Sequence, residues 1–369
     1  MTKTIAWSVG SCLGGCLALI LVFIIGTKIH HAKNLVRLPK TCGEEQPPWT
    51  DDSDTVDAVV TYVDAKDKDW QQLKQEYIND DNDLVKYDNT QRWNDQRGQD
   101  AIEEIELCLL SILLNMPFVR KIHLVLQRPQ MCRSLYSNNI LRKAHIQNKI
   151  NIVYHDEFIP NSILPVFNSN AIEAHLHLIP NLSEKFVYFN DDVICLKPVS
   201  PSQLFYQDKP IIYIHDHFFH PWLPVFCNND DAYTCMKQRA RNMETNPLFS
   251  VKPLHQYKAY TKTWYADTVE HYRDQLTASN SFSSRIRHPE EIQIIQLLFY
   301  YGLTHKLVYV GDNKMFNQRY YDSNILKKKI EDILSYDVIC INNCNTTDPK
   351  INDIFRSIKD YLVDGYRQS

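Results

Sequence analysis

The sequence predicts an α/β protein with a largely parallel sheet, preceded by one transmembrane helix near the N-terminus. Short apolar or β-branched runs at 56–63 (VDAVVTYV), 119–129 (VRKIHLVLQRP), 150–154, 185–189 (KFVYF) and 209–214 alternate with stretches of helical period, the pattern of βαβ units. Four of these runs end on acidic or His residues, at Asp64, His155, Asn190 with Asp191 and Asp192, and His215. In open α/β sheets ligands bind at the carboxyl ends of strands. A run of 24 residues, 4–27, lacks any charge and includes LALILVFII, which is about the length needed to cross a bilayer.

The 369 residues are enough for one large or two ordinary domains. We divide them into a tail and membrane anchor (1–32), a polar stem with Pro39, Pro47 and Pro48 (33–54), and one large domain (55–369). The formal net charge of −4 leaves no basic footprint for nucleic acid. Only 9 glycines occur, with no GxGxxG or Walker pattern, so a dinucleotide or P-loop site has no support. Lys28, Lys33, Arg37 and Lys40 follow the span and Lys3 alone precedes it, which by the positive-inside rule favours a cytoplasmic C-terminal side. Against this, eight Cys outside the span suit an oxidising compartment. Cys227 and Cys235 bracket a polar loop and make the most plausible local bridge, and sequons stand at Asn181 and Asn345.

Taken in order, the first strand leads into a loop carrying Asp64 and Asp67, then a helical period over 71–87. Glu103, Glu104 and Glu106 read as a solvated helix face. A helix over 107–118 feeds the strand from 119, and the strand at 150–154 runs into His155, Asp156 and Glu157. Ser169 is placed to cap a helix over 170–178, with Glu173 near its first turn and His177 four residues on, on the same face. Pro180 and Asn181 end that helix, and KFVYF is continuously apolar, as in a strand buried on both faces. Asp191 and Asp192 then repel unless a cation or a shared proton intervenes, so they form either a turn or the seat of a hard divalent ion such as Mg²⁺. HDHFFH (215–220) suggests zinc, but no partner pair at structural-site spacing accompanies it. Residues 221–249 show no period. Pro289 opens a predicted helix over 290–301, where Arg287 is placed for an anionic phosphate or for Glu290 and Glu291.

The run PVFNSNAIEAHLHLIPNLSEKFVYFNDD (165–192) resembles the third block of the Stealth family of sugar-1-phosphate transferases. Asp57, Thr61, Val63, Asp64, Asp67 and Trp70 resemble its first block, with Tyr62 in place of Trp and Ala65 in place of Gly. RWND (92–95) and LCLLSILLNMPFVRKIHLVLQRP (107–129) resemble the second block without its ELR triplet; His255 and SRIRHPEE (284–291) resemble the fourth. VICINN (338–343) is similar to the family's CLND strand but has Asn343 where the carboxylate stands.

The resemblance implies a glycosyltransferase-like, Rossmann-related core. It also implies attack of an acceptor hydroxyl on the sugar-proximal phosphorus of a UDP-sugar, releasing UMP. A glycan or glycoprotein would be the acceptor, and the catalytic domain would face the lumen, in the Golgi. By the family's motif positions Glu173, Asp192, His255 and Arg287 are the catalytic set. Asp64, Asp67, Arg92, Asn168, Ser169, Asn190, His288 and Glu290 would meet substrate, and Asp191 with Asp192 would hold Mg²⁺ or Mn²⁺. Two other readings remain: a metal-dependent glycosyltransferase that releases UDP, and a non-catalytic glycan-binding descendant.

Overall fold

The computed structural model describes residues 55–79, 103–214, 232–244, 253–311, 320–322, 328–341 and 350–368. The expected membrane span, stem, Arg92, the 215–220 run, Cys227 with its expected bridge, Asn342, Asn343 and Asn345 lie outside them. Among the described residues no helix is long and apolar enough to cross a membrane.

The strands in chain order are β1 (Val56–Thr61), β2 (Val119–Leu126), β3 (Ile150–Tyr154), β4 (Lys185–Asn190), β5 (Val193–Cys195), β6 (Phe205–Tyr206), β7 (Lys209–Tyr213), β8 (Lys258–Thr261), β9 (Tyr309–Gly311), β10 (Tyr320–Asp322) and β11 (Val338–Cys340). The central sheet has the order β3-β2-β1-β4-β8. Its first four strands are parallel, and β8 runs antiparallel to β4 at the edge. Two three-stranded sheets, β10-β11-β5 and β6-β7-β9, flank it.

Side chains alternate across β1 and β4 as the pleat requires. Val56, Ala58, Val60, Val187 and Phe189 face a core shared with the helices Glu104–Asn115 and Lys350–Gln368. Val59, Phe186 and Tyr188 face the opposite core, closed by the helices Lys262–His271 and Ile294–Thr304. Burial on both faces explains why KFVYF shows no polar alternation. Each such Phe contributes about 1.5–3 kcal/mol by removal from water.

At the amino end of the sheet, Asp57 is fully buried and ties β1 to β2 and to the turn before β4. Its carboxylate accepts bonds from Arg120 Nη2 (2.6 Å), His123 Nε2 (3.1 Å) and the Ser183 amide (2.8 Å).

Local structure departs from expectation at several points. The helix expected over 71–87 runs Lys68–Asn79 in the described part, with Asp67 Oδ1 accepting the Trp70 amide at 3.0 Å. The helix expected over 170–178 is Ser169–Glu173 followed by a single 3₁₀ turn, Leu176–Leu178. It stops because the carbonyls needed to continue it are taken: Ala171 O by the His175 ring (2.8 Å) and Glu173 O by Tyr265 Oη. Asn168, not Ser169, is the cap, its Oδ1 accepting the Asn170 amide. His177 consequently leaves the face of Glu173 and stacks on Tyr265 at 5.4 Å. The helix expected from Glu290 begins at Ile294, since Glu290 and Glu291 form the preceding turn.

The acidic run at 103–106 is not a solvated face. Glu106 is buried, paired with Lys359 Nζ and Asn138 Nδ2, each at 2.7 Å, and Glu103 accepts bonds from Tyr62 and Ser134. Residues 232–244 form a helix that buries Cys235, Met236 and Ala240. Cys108, Cys132 and Cys195 are buried thiols in the first core, where burial pushes Cys132 up to about 12. Asn181 is exposed in the turn before β4 at φ 58.

Candidate functional site at the carboxyl edge of the sheet

The strand order reverses between β1 and β4, and Thr61 pairs with Asn190 at their carboxyl ends. A crevice at such a switch point is where open α/β sheets take ligands. Chain from four directions meets there. β4 ends in Asn190, turns through Asp191 and Asp192, and returns as β5. β5 pairs antiparallel with β11, opposing Val193 to Cys340. That register sets the Cys340 thiol against Asp192, to whose Oδ2 it donates at 3.4 Å. His255 Nδ1 lies 3.1 Å from the same sulfur. β8 runs opposite to β4, so its first residue, Lys258, stands across from Tyr188 rather than at the far end of the sheet. His255, three residues earlier, is thereby carried to the same edge.

The fourth direction is the short Ser169–Glu173 helix. Glu173 is buried, and Tyr188 Oη donates to its Oε1 at 3.0 Å. The same hydroxyl lies 3.0 Å from Thr61 Oγ1 and accepts from Asn190 Nδ2 at 3.3 Å. Burial raises the Glu173 carboxyl above its ordinary range, against the Tyr188 bond and the charges of Lys258 and Arg287. Arg287 is held by Ser169, donating from Nη2 to Oγ at 2.7 Å, and its guanidinium faces the Tyr233 ring at 5.3 Å. This bond explains why Ser169 does not cap its own helix.

Behind this group Glu291 is fully buried and accepts bonds from Asn168 Nδ2 and Asn170 Nδ2 (2.9 Å each) and the His288 amide (2.7 Å). Burial outweighs these donors and pushes its carboxyl up to about 7.

The acidic pair is under electrostatic stress. Burial, the Asp192 charge and then Glu104 raise Asp191 well above the usual carboxylate range. Asp192 rises to about 6, burial being the main cause, with Cys340 and Lys258 opposing it. Asp192 Oδ1 is buried and has no hydrogen-bond partner among the described residues. An orphaned carboxylate oxygen beside a second raised carboxyl suits a hard cation. Among the described residues no group of three or more His, Cys, Asp or Glu could hold a metal alone. Mg²⁺ does not require one, since it commonly binds one or two carboxylates, water and substrate phosphates.

The structure therefore brings Glu173, Asn190, Asp192, His255, Arg287 and Ser169 into one linked set. Asp64 and Asp67 lie on the loop after β1: Asp64 is buried, its carboxylate 3.6 Å from Arg133 Nε, and the Asp67 carboxylate is engaged as a helix cap. Asn168 and His288 support Glu291, while Glu290 is exposed and its amide donates to His288 Nδ1. Three residues escaped sequence reasoning: Tyr188, Cys340 and Lys258. Tyr188 was readable, because an aromatic with a hydroxyl inside KFVYF needs a partner when buried. For Lys258 and Cys340 no local signal exists, because antiparallel pairing alone brings them in.

Fold and crevice together define an α/β protein in which acids and bases from distant segments gather at the carboxyl edge of the sheet. Residues 97–212 match the family model of Stealth protein CR2, conserved region 2. That match runs unbroken through 107–129 and 165–192, so most of the second block and all of the third fall within one region, while RWND at 92–95 precedes it.

The chain is similar to the capsular polysaccharide phosphotransferase LcbA of Neisseria meningitidis, 30% identical over 234 residues, 60% of this chain and 58% of that protein. It is similar as well to the capsular polysaccharide phosphotransferase fcs1 of Haemophilus influenzae, 35% identical over 177 residues, 48% of this chain and 43% of the relative. A third is SacB of Neisseria meningitidis serogroup A, 36% identical over 165 residues, covering 44% and 27%. The chain thus spans less than two thirds of the length of each of these relatives.

Proposed function

We propose that the protein transfers a sugar-1-phosphate, such as N-acetylglucosamine-1-phosphate or another hexose-1-phosphate, from a UDP-sugar to a hydroxyl of an acceptor glycan, releasing UMP. The reading rests on one observation: Asp192 is tied through Cys340 to His255, while Glu173 lies within the fields of Lys258 and Arg287, all at one sheet edge. Phosphoryl transfer needs a base for the attacking hydroxyl, positive charge on the phosphoryl oxygens, and in-line placement. His255 takes the hydroxyl proton, Arg287 offsets phosphate charge, and Glu173 orients the reacting groups through its bond to Tyr188. Asp191 and Asp192 would hold Mg²⁺ or Mn²⁺, which when bound neutralises phosphate charge. The relatives' names, capsular polysaccharide phosphotransferases, support the reaction class. We also place the catalytic domain in the Golgi lumen, held by the apolar run at 4–27, and a mobility shift of the full chain on deglycosylation at Asn181 or Asn345 tests that placement.

The full chain, incubated with a panel of UDP-sugars, glycan acceptors and Mg²⁺, is expected to release UMP with formation of a phosphodiester. Release of UDP would instead identify a glycosyltransferase. Donor binding without any nucleotide product would identify a glycan-binding descendant.

A further inference from the structure

We propose that Lys258 is a phosphate-receiving residue of this site, the cation that meets the diphosphate of a nucleoside-diphosphate donor. The ligand class rests on the phosphoryl-transfer reading above; the role of the lysine rests on its surroundings. Lys258 Nζ donates to one neutral acceptor, Gln256 O at 3.0 Å, and forms no ion pair among the described residues. Among the described residues Lys185 and Lys359, by contrast, are paired, with Asp208 and Glu106, each at 2.7 Å. An ammonium drawn partly out of water without a counter-ion is costly, so it is retained where a ligand supplies the anion.

The direction it serves follows from its neighbours. Its stem lies along a small apolar cavity of about 30 Å³, lined among others by Leu204, Tyr257, Trp264 and Phe299. That space is near the size of one water, too small for a ligand. The charged tip instead senses Glu173, Cys340 and Asp192, which favour its charge, and Lys237, which opposes it; burial outweighs them all and lowers its affinity for the proton. Glu173 feels both Lys258 and Arg287, so two cations serve one carboxylate, and a diphosphate has two phosphates to match them. Arg287 is already fixed to Ser169. Lys258 keeps two further N–H donors, and a compact ammonium is a common partner for phosphate.

The test measures equilibrium binding of UDP and of inorganic pyrophosphate to the full chain in Mg²⁺ buffer, for wild type, Lys258→Met and Lys258→Arg, with thermal melting of each. Loss of a charge-assisted bond is expected to weaken both ligands about ten- to a hundredfold in Lys258→Met. Lys258→Arg is expected to stay within a few-fold of wild type. The melting temperature of Lys258→Met should be unchanged or higher, because a structural lysine would leave a destabilised protein and a ligand-receiving one does not. Unaltered UDP and pyrophosphate affinity in Lys258→Met overturns the proposal, as does weakened binding accompanied by a lowered melting temperature. Lys258-dependent binding without UMP release upholds it while removing the transfer reading. A wild-type chain that binds neither ligand removes both.

Discussion

Asp57 and Asp192 stand at opposite ends of neighbouring strands and titrate in opposite directions. Burial alone would raise Asp57, but bonds from His123, Arg120 and the Ser183 amide reverse this and hold it well below the usual carboxylate range. Asp192 has a thiol for a donor and an acidic neighbour, so burial wins. The first carboxylate is therefore a clamp, and the second carries the charge that the proposed Mg²⁺ would offset. Asp57→Ala is expected to cost about 3 kcal/mol, read from denaturant unfolding, since it orphans His123 and frees Arg120. Asp192→Asn should abolish transfer with the unfolding midpoint unchanged or raised, because it removes a carboxyl the fold disfavours ionising. Full activity in that variant would remove Asp192 from the catalytic set. Tyr188→Phe deletes one hydroxyl that serves Thr61, Glu173 and Asn190. It should lower kcat with little change in KM, as Glu173 loses its orientation.

Pairing and packing of elements decide where those side chains stand. β8 matters because it is antiparallel: a parallel edge strand in the same place would have carried Lys258 to the Asp57 end of the sheet. Helix packing behind the site is close. A Cβ on Gly302 would lie 2.6 Å from the Trp264 ring and 2.9 Å from Val308. Although alanine favours helices, Gly302→Ala is expected to destabilise by about 1–3 kcal/mol through overpacking, measurable as a lower unfolding midpoint. A neutral or stabilising outcome would mean that Trp264 can withdraw.

Elements were also where sequence reading succeeded and failed most visibly. β3 was expected over its observed residues, and β1, β4 and β7 to within two at each end, since period and β-branching are local properties. The helix after Asn168 was overextended because nothing local announces that His175 and Tyr265 will take its carbonyls.

Across the whole molecule, two populations of shifted groups oppose each other with pH. Asp192 and Glu291 titrate near 6 and 7, and burial raises Glu173 and Asp191 as well. For these acids the folded state holds protons the unfolded chain has released, so their effect weakens stability as pH rises from about 4 to 7. Burial lowers His155 and His177 to about 4 and shifts His175 downward too. For these the unfolded chain binds the extra proton, and stability falls as pH drops from about 6.5 to 4. The expected wild-type profile is therefore shallow between pH 5 and 7. Below about pH 4 it becomes steep, where Asp57 gives up its depressed titration. Glu291→Gln separates the two groups: its melting temperature relative to wild type should rise with pH from 5 to 8. A constant difference across that range would show that Glu291 keeps an ordinary carboxyl.

The amino-acid sequence by itself determined β1, β2, β3, β4 and β7, the acidic or His residues that follow most of them, and the candidates Glu173, Asp192, His255 and Arg287. Each of these depends on residue type and spacing within one short segment, or on a motif carried by one. Only tertiary structure decided that Asp192 meets Cys340 and His255, that Ser169 serves Arg287 instead of its own helix, and that an ammonium at Lys258 stands among carboxylates. The physical reason is range. Strand and helix preferences are settled by neighbours a few residues away. The register of β8 on β4 and of β11 on β5 is settled by burial of side chains dozens to more than a hundred residues apart, for which no local pattern exists.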